Sequence, residues 1–162
     1  MIIFYRPGGI DSGDDTTPEQ YDAGRLRASE IQIAERTADR AWAAIKYGVR
    51  DGDIGALRVV AWVLMKRTNP SLRFAEFDPF EGEVWARLDA KEVRGYAKEI
   101  VGRYGDNPDD LAEAMDELRD AAADREDAER AIADATAPKD QASAEQTPAT
   151  ELPEMSPASA SE

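Results

Sequence analysis

The stretch Asp51 to Phe80, DGDIGALRVVAWVLMKRTNPSLRFAEFDPF, constrains the fold more than any other. Asp53 stands where a helix N-cap belongs. Behind it Ile54, Ala56, Leu57, Val59, Val60, Ala61, Trp62, Val63, Leu64 and Met65 run almost unbroken. Lys66 and Arg67 then meet the negative end of the helix, and Pro70 cannot continue it. About thirteen residues fall short of the ~20 needed to span a bilayer. A helix apolar on nearly every side must be surrounded by protein. A helix over 53–67 is therefore the expected buried centre of a small, mainly α-helical domain.

Other helices announce themselves by caps and periodicity. Ser29-Glu30-Ile31-Gln32 reads as a capping box, and Ile31, Ala34, Ala38, Ala41 and Ile45 follow at steps of three and four. One helix is expected here, widened by Trp42 and closed by Gly48 as a left-handed cap. Asp89-Ala90-Lys91-Glu92 opens a helix over 90–104, with Val93, Tyr96, Ala97, Ile100 and Tyr104 on one side. Asn107, Pro108 and the acids Asp109 and Asp110 open the last helix. Leu111, Met115, Leu118 and Ala122 give it a stripe. Past Ala123 this helix has one large apolar residue, Ile132, so its second half is expected to bury little.

Strand signals are fewer. Ile2–Tyr5 is a short β-prone run closed by Pro7-Gly8-Gly9. Residues 10–28 read mostly as loop, with Thr17-Pro18-Glu19-Gln20 fitting the start of a short helical turn. Glu83 to Leu88 reads either as a strand pairing with 2–5 in a minor two-stranded element or as a helix start. Residues 137–162, rich in Ala, Ser, Pro, Thr and Glu, are expected to be disordered.

Charge divides the chain. The net of −14 over 162 residues is concentrated late. Residues 1–105 carry 16 basic and 17 acidic side chains, 106–136 carry 3 and 12, and 137–162 carry 1 and 5. The sequence thus reads as a near-neutral helical body (1–105), an extended acidic helical arm (106–136) and a tail (137–162). Such an arm repels nucleic acid and anionic lipid, so neither is an expected partner. No basic-flanked leader is visible, and a soluble intracellular protein is expected.

Residues for chemistry are scarce. There is no cysteine and no histidine, which removes thiolate chemistry and the commonest general base and metal ligand. Asp11-Ser12-Gly13-Asp14-Asp15 lacks the alternating ligands of a calcium loop and reads as solvated loop. Asp51-Gly52-Asp53 reads as a turn plus cap. The pairs Glu30/Glu35 and Glu92/Glu99 read as solvent-facing carboxylates. Pro7-Gly8-Gly9 has no phosphate-cradling continuation. No catalytic, cofactor-binding or metal-binding residue is assigned, and no enzyme is expected.

The order Glu30 and Ile33-Ala34-Glu35-Arg36, Asp51-Gly52-Asp53, Ala56-Leu57, Ala61-Trp62-Val63, Lys66-Arg67, Asn69-Pro70-Ser71-Leu72-Arg73-Phe74 and Phe77-Asp78 resembles tail assembly chaperones of long-tailed (siphovirus-type) bacteriophages, especially those of actinobacteria. It covers about residues 29–80, and its motifs are packing signatures. Where that family often has Thr or Ser-Gly after Glu-Arg, this chain has Thr37-Ala38-Asp39-Arg40, so the helix is expected to continue. The resemblance implies a non-enzymatic assembly factor in the host cytoplasm, absent from the finished virion. It would bind the tape measure protein, keep it soluble and promote assembly of tail tube protein around it. A homo-oligomer is compatible with that role. The family commonly makes a longer product by ribosomal frameshifting, and codons for Ala137-Pro138-Lys139 can form a slippery string. A gene without such a string near its 3′ end would remove that expectation. Candidate partner-binding residues are Trp42, Ile45, Phe77, Phe80 and Trp85, on helix edges where an amphipathic client segment would lie; the plain alternative is that all five are core. The competing functional reading is a phage structural protein, a head–tail connector or minor tail component, retained in the virion.

Overall fold

The computed structural model describes residues 1–9 and 16–137. The 11–15 loop and the tail beyond Ala137 lie outside them. The protein is mainly α-helical with a small antiparallel sheet. Its elements are β1 (Ile2–Tyr5), β2 (Glu19–Asp22), α1 (Ala28–Ala38), α2 (Trp42–Asp51), α3 (Ile54–Met65), β3 (Val84–Arg87), α4 (Ala90–Tyr104), α5 (Pro108–Ala121) and α6 (Arg125–Thr136).

The central helix forms as its sequence dictates. The Asp53 side chain accepts from the Gly55 and Ala56 amides, at 2.8 and 3.1 Å, and so starts α3. Every residue from Val59 to Leu64 is buried. Around α3 pack α1, α2 and one face of the sheet, and together they enclose a first core that includes Ile3, Ala34, Ile45, Val49, Phe77 and Val84. The sheet order is β2-β1-β3. The pairing of 2–5 with 83–88 is present, antiparallel, with Phe4 opposite Trp85. A third strand joins it: Glu19–Asp22, expected as loop or helical turn, pairs with β1, Tyr21 opposite Ile3.

The helix expected over 29–48 is instead two. Asp39 adopts a left-handed conformation (φ 50°), the one positive φ outside glycine among the described residues. Asp and Asn enter this region at lower cost than other side chains, so Asp39 makes the turn that a glycine makes elsewhere. Glu35 secures the break: its carbonyl accepts from Arg40, and its carboxylate caps α2 through the Trp42 amide at 2.7 Å. Gly48 is not the cap. It lies buried inside α2, where a Cβ would approach that of Ala56 to 3.0 Å, and the left-handed cap is Gly52 (φ 79°).

The acidic stretch 106–136 is helical but is divided by a turn at Ala122–Asp124. The Asp124 side chain restarts the chain as α6 by accepting from Glu126 and Asp127. The two helices fold back on α4 and bury a second core of Val93, Ala97, Met115, Leu118, Ala128, Ala131 and Ile132. The second half therefore buries more than its single large apolar residue suggested, because alanines let α6 approach α4 closely.

Candidate functional site

Arg58 and the motif residues Trp62 and Lys66 recur every fourth position along one edge of α3, so they share a face. All three donate to the backbone of the following loop. Arg58 reaches the carbonyls of Phe77 (2.6 Å) and Phe74 (3.1 Å), Trp62 Nε1 reaches that of Leu72 (3.0 Å), and Lys66 Nζ reaches those of Pro70 (2.7 Å) and Leu72 (3.1 Å). The Arg58 guanidinium also lies 4.3 Å from the centre of the Phe74 ring. The loop after α3 is thereby pinned to its core. At the far end, Arg67 grips Glu30 of α1 through two parallel bonds of 2.7 Å. The Arg67 hydrogen bond is the main reason that the Glu30 carboxyl is held down to about 2.

Among the described residues, two grooves border this scaffold. The smaller, of about 720 Å³, lies between α2 and the start of α4 and has Trp42 and Lys46 on its wall. At its edge the Met1 ammonium pairs with Asp89 and, at 2.7 Å, with Glu92. Burial disfavours that ammonium, yet the two carboxylates outweigh burial and raise its pKa. The larger groove, of about 820 Å³, separates the two cores. Leu57 and Trp85 border it on one side, Tyr96, Ile100 and Tyr104 of α4 on the other, and Leu118 of α5 closes it. It is spanned at one end by backbone pairing, in which Leu88 donates to Ala121 and accepts from Ala123, each at 2.9 Å.

The five sequence candidates do not converge. Ile45 (0% exposed) and Phe77 (4%) are core and present nothing to a partner. Trp42 is half-buried in the smaller groove. Trp85 borders the larger one and stacks on Phe4, ring centres 5.5 Å apart. Phe80 is 79% exposed, beside the groove residues Glu81 and Gly82. Sequence reasoning missed Tyr96, Ile100 and Tyr104 as groove residues, because it assigned them to a helix stripe without seeing that they are only half-buried. Among the described residues, no group of three or more His, Cys, Asp or Glu is placed to hold a metal ion, and no helix is long and apolar enough to cross a membrane. No protein-family model matches this sequence, and no curated protein or solved structure matches it.

Proposed function

We propose that this chain is a tail assembly chaperone of a long-tailed bacteriophage, a protein that acts by holding another protein and not by catalysis. Its client is the tape measure protein encoded beside it, which it keeps soluble in the host cytoplasm while tail tube protein assembles. The observation that carries this reading is the apolar groove between the two cores, bordered by half-buried Trp85, Tyr96, Ile100 and Tyr104. A groove of aromatic and aliphatic side chains on a helical scaffold suits an amphipathic segment of a client chain. The motif block that resembles such chaperones supports the reading in a second way, since its residues Trp62, Lys66 and Arg67 brace the scaffold that carries the groove.

Co-expression tests it. With this chain present, the tape measure protein should move from the insoluble to the soluble fraction and co-purify with it. Mass spectrometry of purified virions should find no stoichiometric amount of the chain. A tape measure protein equally soluble without it, or abundant peptides in the virion, would overturn the proposal; the second result would favour a structural component.

A further inference from the structure

We propose that the larger groove receives a basic amphipathic helix, with an apolar stripe facing Trp85 and Ile100 and lysines or arginines facing Glu81, Glu113 and Glu117. This rests on the protein-binding reading above and specifies the chemistry of what binds.

The groove contains ionic side chains of both signs, but their states differ. Its arginines keep their charge on the α2, β3 and α4 walls, and Arg50 alone meets a carboxylate. Arg50 donates to Glu92 at 3.2 Å, Arg87 donates to the Asp120 carbonyl, and Arg103 lies 6.0 Å from the centre of the Tyr104 ring. The carboxylates are not committed. Glu81 and Glu117 line the groove, and Glu113 precedes Glu117 by about one turn on the same face of α5. None of the three takes part in an ion pair or hydrogen bond with another described residue. The negative field lies along the α5 wall, where Asp109, Asp110, Glu113, Asp116, Glu117 and Asp120 stand against Arg119 alone, so the cations of a ligand are directed to that lip of the apolar trough and away from the arginine-bearing walls. Two exposed acids four residues apart match cations at the same spacing on an incoming helix.

Other occupants fit less well. A second copy of this chain would bring its own net charge of −14 against the same acids. An added β-strand would find little ladder, because β3 has four residues and the next residue, Leu88, is already paired with Ala121 and Ala123.

The test uses fluorescence anisotropy of labelled peptides about eighteen residues long, ~27 Å as helices, against the full chain. One peptide has a leucine stripe flanked by lysines, one the same stripe flanked by glutamates, and one the lysines with serines in place of leucines. The first should bind at least about ten-fold more tightly than either control, with affinity falling as salt rises. Combining Glu113→Gln with Glu117→Gln should weaken it about three- to ten-fold and flatten the salt dependence. Ala114→Trp, which fills the trough, should abolish binding, and Tyr104→Ala should weaken it should the tryptophan variant fail to fold. Equal binding of the two leucine peptides, undiminished binding by the serine peptide, or full binding by a folded Ala114→Trp variant would overturn the proposal. So would self-association in sedimentation that Ala114→Trp abolishes. If no peptide binds while the tape measure protein is still solubilised, this inference falls and the chaperone reading stands. If solubilisation also fails, both fall.

Discussion

The Glu30–Arg67 pair joins α1 to the end of α3 with the geometry that makes guanidinium–carboxylate bonds strong. The Glu30 carboxyl has an ordinary value near 4.5 and is held near 2 when folded. A depressed carboxyl stabilises the fold above its unfolded pKa and stops doing so as the pH falls through the folded value. Arg67 is 35% exposed, so screening reduces the pair to about 1 kcal/mol. Urea unfolding of Glu30→Gln should show that deficit at pH 7, and it should shrink below pH 4.5 and be lost as the pH passes below 2. A deficit of equal size at pH 7 and pH 2 would mean that the charge contributes nothing.

Helix boundaries depend on single residues whose role is conformational. Asp39 interrupts what its alanine-rich neighbours would continue, at a positive φ that costs an ordinary L-residue ~1–2 kcal/mol. Asp39→Gly should be neutral or stabilising, while Asp39→Val should cost about 1 kcal/mol or more, both read from thermal melts. A valine variant as stable as the parent would show that the break is placed by packing alone. Legibility at this level followed the strength of the local signal. The α3 run, its Asp53 cap and the Asp89-to-Glu92 box were readable because each is complete within a few residues. The strand Glu19–Asp22 was not, since only Tyr21 in it is apolar and its conformation is set by hydrogen bonds to β1. The turn at Ala122–Asp124 was hidden by alanines that suit a helix as well as a close helix–helix contact. The larger groove was least legible of all, because its walls come from β3, α3, α4 and α5 and no short window contains them.

At the scale of the molecule, two cores meet across that groove and are tied by the Leu88 pairing and by Arg50 to Glu92. Those ties predict one cooperative unit despite two hydrophobic centres. Leu118→Ala, at a site 4% exposed in the second core, should cost ~2–4 kcal/mol. All three tryptophans precede residue 86, so their fluorescence reports the first core while far-ultraviolet circular dichroism reports all helices. In the parent and the variant the two signals should melt together. A helical transition that precedes the tryptophan transition would show the α4–α6 unit unfolding by itself.

The clamp that Arg58, Trp62 and Lys66 place on the segment after α3 also governs how proteases see it. Cleavage requires several residues of backbone to leave the surface and enter the enzyme in extended form. Phe77 is 4% exposed and its carbonyl is held by Arg58, whereas Phe80 three residues later is 79% exposed. A brief digestion with a chymotrypsin-like enzyme should therefore nick this segment after Phe80 and spare Phe77. Replacing Arg58 with methionine should make both bonds susceptible, and early cutting after Phe77 in the parent would mean that the clamp is open in solution.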